Sequence, residues 1–140
     1  KGRDTFRVLG PLDVAYLDLT GSGAETIAHV RDNGRITLMF CAFSGRPRIV
    51  RLAGLGTVVV PGDPAYDELV DNFPELPGAR AVIRVAVDRV ADSCGFAVPL
   101  MEYVGDRDVL DRWAARQSED ELREYRRTRN AVSIDGLPAL

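Results

Sequence analysis

The sequence predicts an α+β fold: a small, mostly antiparallel β-barrel with one short helix between early strands and more helices at its C-terminal end. Three observations carry this. Strand-forming runs fill the first two thirds of the 140 residues. Tight turns such as Gly10-Pro11 and Ser44-Gly45-Arg46-Pro47 join consecutive runs, which forces antiparallel pairing. Gly54 and Gly56 interrupt one long apolar run, as glycines do at a bulge, at the corner of a closed barrel, or where another element packs on the backbone.

In chain order, Thr5 to Leu9 alternates weakly and stops at Gly10-Pro11. Asp13 to Leu19 puts Val14, Tyr16 and Asp18 on one face and Ala15, Leu17 and Leu19 on the other. Ala24 to Asn33 is a short helix ended by Gly34. Arg35 to Phe43 and Arg48 to Val60 form a hairpin. Asp63 caps a helix that starts at Pro64 and runs to Val70. Arg80 to Val90 sets Ala81, Ile83, Val85 and Val87 against Arg84 and Asp88, and Phe96 to Tyr103 is a candidate sixth strand. Asp106 to Gln117 is helical, and Ser118-Glu119-Asp120-Glu121 is a capping box opening a charged helix to Asn130, with Leu122 and Tyr125 as its apolar anchors. These divide into a barrel over residues 1–105 and C-terminal helices and tail over 106–140, packed on the same domain.

Hydrophobic residues make up 46% of the chain and charged residues 28%, as in an ordinary globular domain. A net charge of −3 argues against a nucleic-acid partner, and no apolar run is long enough for a membrane helix. The start lacks a secretory pattern and an initiator Met, so an upstream segment is expected to be missing. Cys41 and Cys94 share no metal-binding spacing and fall in segments expected to be buried, which suits a reduced, cytoplasmic setting. With one His and no Cys cluster, no structural zinc site is expected.

Gly21-Ser22-Gly23 opens the first helix, where free N–H groups and the helix dipole favour a phosphate. A dinucleotide fingerprint fails, because Thr26 replaces the third glycine and no acidic residue lies between Asp32 and Asp63. No Gly-Lys-Ser/Thr exists for a Walker loop. Two readings stay open: a tight turn with Ser22 as a cap, or a one-phosphate site built from Thr20, Ser22, Thr26 and helix amides. His29, the sole histidine, is expected to serve packing or face solvent, and Cys94 to be inert.

The run Val14-Ala15-Tyr16-Leu17-Asp18-Leu19, a glycine turn, Thr26-Ile27-Ala28-His29-Val30 and then Asn33-Gly34-Arg35-Ile36-Thr37-Leu38-Met39-Phe40 resembles the pyridoxamine 5′-phosphate oxidase superfamily. Val50 to Val58 resembles its "V-x-G-x-A" strand, and Asp92 to Asp108 a bacterial subgroup of oxidase-related flavin-binding proteins. The resemblance implies a split β-barrel homodimer, with FMN between protomers and oxidoreductase activity on a small molecule. By position it implies Lys1, Arg7, Ser22 and Thr26 for the phosphate, and Arg48 or Arg51 for the ring or ribityl chain. Those two arginines lie three apart in one strand, so they face opposite sides. Many family members carry basic residues where Glu25 and Thr26 stand, so FMN and another flavin-like cofactor both stay open. Phe96, Pro99, Met101 and Tyr103 would wall the pocket or pack at a dimer seam. The alternative function is a non-enzymatic dimer that binds or senses a flavin-like or haem-like ligand.

Overall fold

The computed structural model describes residues 2–140. A 3-10 turn, Arg3–Thr5, leads into β1 (Phe6–Gly10) and β2 (Asp13–Leu19). After the glycine turn come α1 (Glu25–Asn33), β3 (Arg35–Cys41) and β4 (Ile49–Val59). A short α2 (Tyr66–Val70) precedes the long β5 (Ala79–Ser93), and α3 (Val109–Ala114) and α4 (Glu119–Arg129) follow. The fold is α+β, with one five-stranded antiparallel sheet in the order β1-β2-β5-β4-β3.

The period-two pattern decides what each strand buries. Val14 and Tyr16 of β2 and Ala81, Ile83, Val85 and Val87 of β5 enter one core, plugged by Ala24, Ile27 and Ala28 at and in α1. Ala15, Leu17 and Leu19 enter the other with Val82, Leu69 and Phe73. Full burial of side chains such as Leu17, Ile27 and Ile83 is worth roughly 1.5–3 kcal/mol each. Sequence and structure agree on these faces.

The sheet is not the closed barrel that the glycine corners suggested: β1 and β3 are its two ends and do not pair. The Phe6 and Phe40 rings bridge them, edge to face at 5.1 Å. The two glycines curl the sheet. The β4–β5 register shifts between Ala53 and Gly54, and a Cβ on Gly54 would lie 2.1 Å from the Ala86 carbonyl oxygen. At Gly56 it would lie 3.1 Å from Val30, so α1 rests directly on β4.

Several sequence expectations are corrected. Phe96 to Tyr103 forms no strand; Pro99 and the left-handed Gly95 prevent a ladder, and the Met101 N–H to the Phe43 carbonyl (2.9 Å) is its tie to the hairpin. Asp63 does not cap α2, whose N-cap is Ala65; its carboxylate instead accepts the Val60 N–H at 2.8 Å. Ser22 is not the cap of α1 either, because Ala24 occupies that place without a side-chain bond. Cys41 is half-buried and Cys94 exposed, although both segments read as interior. The capping box of α4 and the Gly34 stop of α1, at φ 72°, form as expected. The last eleven residues, which no periodicity announced, make a small hairpin bridged at Val132 and Pro138 that sinks Ala139 into the first core. Among the described residues, no helix is long and apolar enough to cross a membrane.

Candidate functional site

The gap between the unpaired strands β1 and β3 is a cleft of about 800 Å³, lined by Thr5, Phe6 and Tyr16 on one side and residues 37–41 with Phe43 on the other. Its existence follows from the open sheet, since pairing of β1 with β3 would fill it. Aromatic and sulfur-bearing side chains make its walls, and Thr5, Tyr16 and Thr37 supply hydroxyls. A neighbouring hollow of about 1010 Å³ lies between Phe40, Phe43 and the Leu100–Tyr103 segment. Leu100, Met101 and Tyr103 are largely exposed in the single chain, as is Phe96.

Tyr16 is the titratable group of the cleft whose surroundings clearly shift it. Burial first, and then the Asp18 carboxylate, push its phenol up to about 12, against a hydrogen bond with Thr26 and the charge of Arg80. The phenol therefore stays protonated at neutral pH and is no base.

Behind Tyr16 lies the glycine turn. Residues 18–19 and 21–27 with Arg80 line a cavity of about 340 Å³ there, so Ser22 and Thr26 line one hollow. Arg80 is buried beneath the turn and fully committed: its Nε donates to Asp18 at 2.5 Å, Nη1 to Asn130 at 2.7 Å and Nη2 to the Gly23 carbonyl at 2.7 Å. The Asn130 amide donates to the Gly21 carbonyl at 2.9 Å, and Arg126 Nε to the Thr20 hydroxyl at 2.9 Å. Burial lowers the pKa of Arg126. The turn's carbonyls thus bind the protein itself. Asp18 neutralises Arg80, and Glu25 adds a negative charge at the mouth of α1.

Arg7, one of the two expected phosphate cations, does not join Ser22 and Thr26 within the chain. Arg7 stands opposite Ala15, on the second-core face, whereas Thr26 reaches Tyr16 on the first. The Arg7 guanidinium donates to the carbonyls of Asn72 (2.6 Å), Phe6 (2.8 Å) and Asp4 (3.0 Å), and lies 5.3 Å from the Phe73 ring centroid. Lys1 lies outside the described residues. Arg48 sits just before β4 and faces Asp92 at 3.6 Å, exposed on both sides of the pair. Arg51 is in register with Met39, a residue of the cleft, and donates to the Ser93 hydroxyl at 2.8 Å. Neither arginine is among the described residues lining the cleft.

Sequence reasoning missed Thr5, Phe6, Thr37 and Phe40 as cleft residues, and Arg80 and Asn130 as clasps of the turn. The one available signal for Arg80 was Asp18 on a core-facing position, since a buried carboxylate requires a cation. His29 is partly exposed to solvent, as expected, and also has partners: its Nε2 lies 2.9 Å from Asp135 Oδ2, and Glu25 is near both.

No family model matches the chain. The pyridoxamine 5′-phosphate oxidase family protein ustO of Aspergillus flavus is 44% identical over a 151-residue alignment that covers 97% of this chain. The chain spans 61% of that relative's length. Two crystal structures of HupZ from Group A Streptococcus, one a histidine-to-alanine variant, superpose with TM-scores of 0.49 at 21% and 18% identity. They cover 64% of this chain and 73% and 70% of their own, a likeness too slight to bear on its function. Over nearly its whole length, the chain is a homologue of a pyridoxamine 5′-phosphate oxidase family protein, the family its own motifs resemble.

Proposed function

We propose that this chain is a flavin-binding protein of split-barrel type, with FMN the foremost ligand, and that it acts as an oxidoreductase on a small substrate at a homodimer seam. The observation that carries the reading is the aromatic-walled cleft left between β1 and β3. A planar tricyclic ring suits such walls, because Phe6, Phe40 and Phe43 offer faces and edges while Thr5, Tyr16 and Thr37 can bond ring heteroatoms. The ring end of FMN therefore fits. The phosphate end is less well served, since no Arg or Lys is among the described residues lining the cleft. Ser22 and Thr26 remain the hydroxyl candidates for the anion, with Lys1 and Arg7 as cations to be brought from the chain's start or a second copy. Arg51 is the candidate donor to the ring or ribityl chain.

When bound, FMN would supply the electron transfer, and the protein orients it and excludes water. A protonated Tyr16 is a hydrogen-bond donor at the cleft floor and takes no proton from substrate. That same feature favours the second reading, a non-enzymatic dimer that binds a flavin-like or haem-like ligand, because Tyr16 is a donor rather than a base.

Titration of the purified chain with FMN, followed by flavin fluorescence, tests both. Saturable quenching is expected, and Phe40→Ala should weaken binding roughly tenfold through loss of an aromatic contact. A complex that bleaches under a reduced nicotinamide supports the oxidoreductase, and one inert to every donor supports the binding protein. Absence of quenching with the intact chain overturns the flavin reading.

A further inference from the structure

We propose that Glu25, His29 and Asp135 form a site for a divalent transition-metal cation of the zinc class, which joins the C-terminal hairpin to α1. The proposal is independent of the flavin reading. One ligand atom from each of the three residues lies within 4.8 Å of the other two. His29 Nε2 and Asp135 Oδ2 are already 2.9 Å apart. Glu25 and His29 are four residues apart in α1, so they rise from one side of the helix, a turn from each other.

The ligands are held before any cation arrives. The Ile134 N–H donates to Glu25 Oε2 at 3.1 Å and Oε1 at 3.3 Å, which turns that carboxylate toward the hairpin. Asp135 occupies a turn closed by the Gly136 N–H to the Ser133 carbonyl (3.0 Å), with Gly136 at φ 78°. The Ser133 hydroxyl accepts the N–H groups of Asp135 and Leu137 at 3.2 and 3.1 Å. Behind the turn, the Ser133 N–H to Leu137 carbonyl bond and buried Ala139 anchor the hairpin to the core.

The donor set is one imidazole nitrogen and two carboxylate oxygens, suited to a borderline cation rather than to the all-oxygen preference of calcium. Bonds of about 2.0–2.2 Å put tetrahedral ligand atoms about 3.3–3.6 Å apart, so His29 and Asp135 already stand close enough and Glu25 closes by about an ångström. His29 is 45% and Asp135 62% exposed at the side chain, which leaves an entry path and room for water as a fourth ligand. Two carboxylates beside a neutral imidazole carry the double negative charge that such a cation balances. The metal takes the imidazole through a nitrogen that carries no proton, so a proton shared between His29 Nε2 and Asp135 Oδ2 must leave that position, to Nδ1 or to solvent.

His29 is the chain's single histidine, so the imidazole resonances of tag-free protein report on it without ambiguity. Addition of zinc ion is expected to shift those resonances saturably at one equivalent and to raise the thermal unfolding midpoint. In calorimetry His29→Gln, Asp135→Asn and Glu25→Gln should each weaken zinc binding at least tenfold, with unchanged circular dichroism for at least one of them. The site is refuted if the imidazole signals stay still at millimolar zinc. It is equally refuted if the folded variants bind zinc as tightly as the parent, since the cation would then sit elsewhere, for example on Cys41 or Cys94.

Discussion

Tyr16 stands where the cleft meets the charged cluster behind the glycine turn, and its surroundings set a measurable property. Its phenol is held up to about 12 against an ordinary value of 10, chiefly by burial. A raised folded-state pKa means that the native chain keeps its proton where the unfolded chain has lost it. The stabilisation is therefore complete below pH 10 and disappears as pH rises from about 10 to about 12. The two-unit shift corresponds to about 2–3 kcal/mol at most. Tyr16→Phe should flatten the stability profile in that window, measured by urea unfolding between pH 9 and pH 11.5, whereas an unchanged slope would assign the alkaline loss to other groups. Beside it, Arg80 could be placed by sequence on a strand, yet its partners come from residues 62 and 50 positions away, beyond the reach of any local pattern.

Elements were the most legible level. The face assignments of β2 and β5, the capping box at Ser118 and the Gly34 stop were readable because each depends on residues within a turn or a pleat of one another. Gly54 reads in sequence as a bulge, a bend or a close approach, and it is both the first and the third, with the register shifting there and the Ala86 carbonyl pressed against the space where a Cβ would stand. Gly54→Ala should consequently destabilise the fold by on the order of 3 kcal/mol, since a backbone atom rather than a flexible side chain must move. Chemical denaturation of that variant checks it, and a loss below 0.5 kcal/mol, the usual range of a neutral surface change, would show that the ladder slips freely there. Where elements were misread, a competing local bond had won or a pairing partner was absent. Asp63 turned back to Val60 instead of capping α2, and Phe96 to Tyr103 lacked a partner strand within the chain.

For the whole molecule, the unpaired edges decide what is exposed. Met39, Phe40 and Phe43 from the β3 side and Phe96, Leu100, Met101 and Val104 from the later segment all face solvent in one chain. Contiguous apolar surface of this kind marks an interaction site. The proposed homodimer would cover it, and the expected result in analytical ultracentrifugation is a mass twice that of the 15.3 kDa chain. Leu100→Glu combined with Met101→Glu should yield a folded monomer with weakened FMN binding. A wild-type monomer at high concentration would remove the seam from the proposal. The sequence by itself determined the inward faces of β2 and β5, the stop of α1 and the capping box of α4, because periodicity, glycine positions and caps act over a few residues. Only the tertiary structure decided that the sheet stays open, that Arg80 and Asn130 clasp the glycine turn, and that Asp135 meets His29. Those features depend on residues far apart in the chain, and no local preference encodes which distant partner a charge or a strand edge will find.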